Sequence, residues 1–88
     1  MFDYKLVENK LNEVINIVKL QLSETQVEFL VSDIHAGEWN LALKTLCDLL
    51  IEEEIPINLK GYELLQEVGN IFNMERETWE MLKVLVNA

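Results

Sequence analysis

The sequence predicts an all-α protein, a single compact bundle of about five helices forming one domain over residues 1–88. Apolar residues recur at steps of three and four instead of alternating. Residues that start and stop helices stand between the periodic stretches. Half of the residues are hydrophobic, enough for one core in a chain of 88, and no internal repeat, linker or low-complexity tract divides it.

In the first stretch Tyr4, Val7, Leu11, Val14, Ile15, Val18 and Leu22 fall on one stripe of a helix. Ser23, three residues ahead of Gln26, has the capping-box arrangement and starts the second helix, whose core stripe is Val27, Leu30, Val31 and Ile34. Gly37 supplies the left-handed stop. The third helix, from Glu38 or Trp39 to Glu54, carries Trp39, Ala42, Leu43, Leu46, Cys47, Leu49, Leu50 and Ile51 around more than half its circumference. Such a helix belongs at the centre of the bundle.

Pro56, between Ile55 and Ile57, interrupts the helical pattern because it lacks a donor and pushes its predecessor out of the helical region. Asn58 caps a fourth helix with Leu64, Leu65, Val68, Ile71 and Phe72 on one face. Gly61 and Gly69 each weaken that helix by about 1 kcal/mol relative to alanine, and close packing by a neighbour would be a reason to keep Gly69. A last helix follows Asn73 and Met74. Glu75 and Glu77 lie in its first turn, and Trp79, Leu82, Leu85 and Val86 form its stripe.

Sixteen Asp and Glu against seven Lys and Arg give a net charge of −9. A negative potential over so small a domain speeds encounter with a basic partner and opposes contact with nucleic acid or an anionic membrane. The seven cations, Lys5, Lys10, Lys19, Lys44, Lys60, Arg76 and Lys83, are scattered among acids. No apolar run approaches the roughly 18 residues of a membrane span, and the charged start of the chain is unlike a signal peptide or transit sequence. One cysteine without a partner fits a reduced, cytoplasmic setting.

An enzyme is not expected, because metal centres and nucleophile–base pairs need several suitably placed His, Cys or carboxylate groups, and His35 and Cys47 stand alone. No catalytic residue, metal or cofactor is assigned. His35, in the last turn of its helix, is more simply a dipole-complementing residue, and Cys47 a small core residue.

The acids are more telling. Glu52, Glu53 and Glu54 crowd a helix C-terminus, where the dipole disfavours negative charge. Asp48 and Glu52 lie one turn apart, and Glu63 and Glu67 repeat the spacing on the next helix. Such pairs repel by a few tenths of a kcal/mol, which a basic partner would relieve. A solvated end that aids solubility is the alternative. Phe29, off its core stripe beside Asp33, and Tyr62, beside Glu63, are candidate apolar anchors for an interface; the alternative is that both are buried between helices.

The segment Gly37, Glu38, Trp39, Asn40, Leu41, Ala42, Leu43, followed by a Leu-rich helix, Ile55-Pro56-Ile57 and a helix with Leu64 and Leu65, resembles the MafI-like immunity proteins. These are related to the CdiI immunity proteins of contact-dependent growth inhibition. The most specific part covers only a fraction of the chain, and length, pattern and acidity make up the rest. The resemblance implies a cytoplasmic antitoxin that binds the C-terminal nuclease domain of its cognate toxin, of the EndoU RNase type. The helical immunity proteins of nuclease colicins are also small and acidic, but their paired-tyrosine segment has no counterpart here.

Composition and resemblance together give a bacterial toxin inhibitor, monomeric when free, acting by protein–protein interaction. Its expected toxin-binding residues are Asp48, Glu52, Glu53, Glu63 and Glu67, with Phe29 or Tyr62 as anchor. The alternative is an acidic helical adaptor that binds a basic protein in regulation.

Overall fold

The chain turns back on itself wherever a capping residue interrupts the apolar periodicity. The computed structural model describes residues 3–87; the ends of the expected domain, Met1, Phe2 and Ala88, lie outside the described residues. Five α-helices follow in order among them: α1 (Tyr4–Val18), α2 (Glu24–His35), α3 (Trp39–Glu52), α4 (Leu59–Ile71) and a short α5 (Glu77–Glu80). The expected all-α bundle is the observed fold. Its radius of gyration, 11.8 Å, is that of a close-packed chain of this length, about 12 Å.

Each start has a local cause. The Asp3 carboxylate accepts the Leu6 N–H at 3.2 Å to open α1. At α2 the predicted capping box is complete: the Gln26 N–H donates to Ser23 Oγ at 3.1 Å, and the Ser23 N–H donates to Gln26 Oε1 at 2.9 Å. Asn58 caps α4, its Oδ1 accepting the Gly61 N–H at 2.7 Å.

Three helix ends share one geometry. The Glu38 N–H reaches the Asp33 carbonyl at 2.8 Å, the Ile55 N–H the Leu50 carbonyl at 2.9 Å, and the Met74 N–H the Gly69 carbonyl at 2.9 Å. In each, the preceding residue makes the second bond of a Schellman motif and is left-handed: Gly37 at φ 78°, Glu54 at φ 50° and Asn73 at φ 52°. Glycine and asparagine adopt this conformation readily, whereas Glu54 is strained there. Replacing Glu54 with Gly is therefore expected to raise stability by about 1 kcal/mol and the melting temperature by about 4–8 °C, measured by thermal denaturation. An unchanged or lower melting temperature would mean that the Glu54 backbone is not strained.

The core confirms most of the predicted stripes. Val7, Leu11, Val14, Ile15 and Val18 of α1, Leu30 and Ile34 of α2, and Ala42, Leu43, Leu46, Cys47 and Leu50 of α3 are buried. Together with Leu64, Leu65, Val68, Trp79 and Leu82 they make one cluster. α1 packs chiefly on α4, and α2 on α3. α3 touches α1, α2, α4 and α5, the central place its wide apolar surface predicts.

Several expectations need correction. α1 stops at Val18 and gives way to a 3-10 turn, Lys19–Gln21, which throws Leu20 out to 94% exposure. Tyr4 heads the predicted stripe yet is half exposed, and Ile71 lies at the surface end of α4. α3 ends at Glu52, two residues early, because Glu53 and Glu54 form the cap. The last helix is α-helical for only four residues before tightening into a 3-10 segment, Met81–Leu85.

Beyond that segment the chain forms a two-residue parallel pairing that the helical pattern does not announce. β1 (Ile57–Asn58) lies beside β2 (Val86–Asn87), with Ile57 opposite Val86. Pro56 favours the extended entry into β1, and burial of Ile57 holds it in place.

Candidate protein interface

Every charged side chain of the described residues has at least part of its surface in water, and none is buried. Folding puts the apolar stripes inward, which leaves the excess carboxylates to define the outside. Asp48, Glu52, Glu53 and Glu54 are all exposed at the C-terminal end of α3. None of the four has a salt-bridge partner among the described residues, so their charge is uncompensated by a contacting cation. Asp48 and Glu52, at the i, i+4 spacing, add their fields on the outer side of that helix.

The corresponding pair on α4 differs. Glu63 is exposed and has no salt-bridge partner among the described residues, but Glu67 accepts a hydrogen bond from Lys10 Nζ at 2.7 Å, an ion pair joining α4 to α1. The repulsion expected between Glu63 and Glu67 is thus already relieved inside the molecule. Lys10, 57 residues away in sequence, could be matched to Glu67 only once α1 was known to pack on α4.

The two candidate anchors separate cleanly. Phe29 is 67% exposed, because its neighbours one turn away, Thr25, Gln26, Ser32 and Asp33, are polar while Leu30 and Ile34 turn to the core. Burial between helices is therefore excluded for Phe29. Tyr62 is 8% exposed, which removes it as an interface anchor. Its spacing to Leu65 and Gly69 places it on the buried side of α4, a pattern legible in sequence but masked by the adjacent Glu63.

Trp39 is half-buried instead of fully packed on its stripe. Its ring stacks with Tyr4 at 6.2 Å and with Phe72 at 6.0 Å between centroids, and its Nε1–H donates to a Glu8 carboxylate oxygen at 3.3 Å. This aromatic row closes the bundle where α3 begins, and explains why Tyr4 and Phe72 are kept near the surface.

The lone His and Cys sit in contrasting places. His35 is exposed in the last turn of α2, as a dipole-complementing residue should be. Among the described residues no group of three or more His, Cys, Asp or Glu side chains is arranged to hold a metal ion. Cys47 is buried, and burial, aided by the charge of Asp48, pushes its thiol up to about 12. Native protein is accordingly expected to resist iodoacetamide at pH 8 and to react on unfolding, followed by mass spectrometry.

The same shift has a stability consequence. Between its ordinary value of 9.0 and about 12, the Cys47 thiol ionises in the unfolded chain but stays neutral in the fold. Its contribution is complete below the lower value and declines as pH rises, by at most about 1.4 kcal/mol per pH unit. Cys47→Ala should remove that slope between pH 8 and 10 in denaturant titrations; a persisting slope would assign the loss to other groups.

At the start of α5 the Glu77 carboxyl is held above its usual range by a hydrogen bond to Glu75 and by the negative charge of that same residue. Acids thus crowd one another even here. Among the described residues no helix is long and apolar enough to cross a membrane.

Comparison with models of protein families, with curated proteins and with solved structures finds no match to this chain.

Proposed function

We propose that this protein is an immunity protein, a cytoplasmic antitoxin that binds the nuclease domain of a cognate contact-dependent inhibition toxin of the EndoU RNase type. The observation that carries this reading is the surplus of exposed carboxylates, above all the unpaired group Asp48, Glu52, Glu53 and Glu54. A nuclease must hold polyanionic RNA, so the walls of its cleft are basic. A small rigid acidic body competes for those walls directly. The resemblance of the Gly37–Leu43 segment to MafI-like immunity proteins supports the same partner from a separate direction.

Inhibition on this reading is occlusion, not chemistry. The carboxylates draw the nuclease in, a contact patch holds it, and the bulk of the bundle, 34 × 27 × 18 Å, excludes RNA from the cleft. Net charge of −9 also opposes self-association, in keeping with a free monomer.

Co-expression with the nuclease domain encoded beside this chain's gene tests the proposal. Restored growth together with recovery of a one-to-one complex is expected. Continued toxicity with no complex would overturn it and leave an acidic adaptor for some other basic protein as the better reading.

A further inference from the structure

α2 is anchored through one side only. Leu30 and Ile34 are its buried residues, with Val27 and Val31 half-covered beside them, while Thr25, Glu28, Phe29 and Ser32 form an outward stripe at i, i+3, i+4 and i+7. Phe29 stands out of that stripe at 67% exposure. A shallow groove of about 210 Å³ runs along it, walled by Thr25, Glu28, Phe29, Ser32 and Asp33. A second, of about 430 Å³, lies at the corner between the 3-10 turn and α2, with the 94% exposed Leu20 at its edge and Lys19, Glu24 and Glu28 in its walls. Glu28 is common to both, so the grooves border one another across a single carboxylate.

Charge decides what can fill the groove along α2, which carboxylates line and no Lys or Arg does. α2 contains Glu24, Glu28 and Asp33 and no Lys or Arg. None of those three carboxylates takes part in a salt bridge among the described residues. A second copy of the chain would set these carboxylates against their own duplicates, and an anionic membrane or nucleic acid would meet the same repulsion. A cationic side chain with an apolar stem is complementary. An arginine can lay its guanidinium plane on the Phe29 ring and donate to Glu28 or Asp33, while its methylenes cover the apolar floor.

We propose that this outward face of α2 is the docking surface for the basic, RNA-binding rim of the nuclease domain, with Phe29 as its central anchor. The inference rests on the immunity reading above and deepens it. It divides the labour between two regions: the acids at the end of α3 act through the long-range field, and α2 makes the contact.

The test measures binding of the full-length protein to a catalytically inactive form of the neighbouring nuclease domain by surface plasmon resonance, beside growth rescue by the same variants. Phe29→Ala should raise koff by about 30-fold with kon changed less than about 3-fold, as expected for an interface anchor. Glu28→Gln and Asp33→Asn should each weaken binding by about 3–10-fold. Because Phe29 is exposed, its variant should keep the wild-type melting temperature, separating lost binding from lost fold. Tight binding by wild type with an unchanged koff in Phe29→Ala would overturn the α2 assignment and leave the immunity reading standing. Absence of both binding and rescue in wild type would overturn both.

Discussion

Gly69→Ala is expected to cost about 2 kcal/mol of stability and to lower the melting temperature by about 8–16 °C. Helix propensity alone predicts the opposite, a gain of about 1 kcal/mol in the middle of α4. Packing reverses the sign. A Cβ built on Gly69 falls 2.5 Å from Cε3 and 2.8 Å from Cη2 of Trp79, and closer still to Cζ3. The indole is itself 3% exposed and cannot retreat without opening the seam between α4 and α5. Overpacking of this kind costs about 3 kcal/mol, and the propensity gain offsets only part of it.

Thermal denaturation in two backgrounds makes the cause separable. In a Trp79→Leu background the ring is gone, so Gly69→Ala should become neutral or stabilising, a coupling of about 2–3 kcal/mol between the two sites. A stabilising effect of Gly69→Ala in the wild-type background would contradict the packing described for α4 and α5.

That glycine also marks how far sequence reasoning reaches. Its place in a helix interior suggested a close neighbour, but only the fold identifies the neighbour as Trp79. The same division runs through the molecule. Ser23 with Gln26, Asn58 and Gly37 act on atoms within a few residues, so their roles as caps and stop are visible in order alone. Glu54 performs the same stop as Gly37 but with a residue that disfavours it, and nothing local announces that. The pairing of Ile57 with Val86 and the bridge from Lys10 to Glu67 depend on elements far apart in the chain.

The candidate interface divides similarly. That Phe29 lies off the core stripe is legible because Thr25, Gln26, Ser32 and Asp33, one turn to either side, are all polar or charged, but only the fold shows that no second neighbour covers it. Tyr62 is buried for an equally local reason. Its spacing to Leu65 and Gly69 faces inward, while the adjacent Glu63 faces out. The exposure of Leu20 is not legible in sequence, because it results from the change of helix type after Val18, a break the apolar stripe runs straight through.

If the immunity proposal holds, charge reversal at the end of α3 should slow association with the nuclease domain while making the free protein more stable. In the variant carrying Asp48→Lys, Glu52→Lys and Glu53→Lys, each substitution changes the net charge by about +2, taking it from −9 to about −3. The field that draws in a basic partner falls accordingly, and kon at low ionic strength should drop by about 10–100-fold. With a Debye length of about 3 Å near 1 M salt, the difference from wild type should shrink as salt is added. koff should change little, since the proposed contact lies on α2.

Stability should move the other way. Glu52 and Glu53 close a helix whose carbonyl end carries partial negative charge, so cations there gain about 0.3–1 kcal/mol each, and loss of the Asp48–Glu52 repulsion adds a few tenths more. A higher melting temperature together with slower association would show that these acids are retained against the preference of their own helix, for the sake of encounter with a partner. Stopped-flow association with the inactive nuclease domain across a salt series, beside a thermal melt, reads both quantities. An unchanged kon at low salt would reduce the acidic end of α3 to a solvated helix terminus and remove electrostatic attraction at this site from the mechanism.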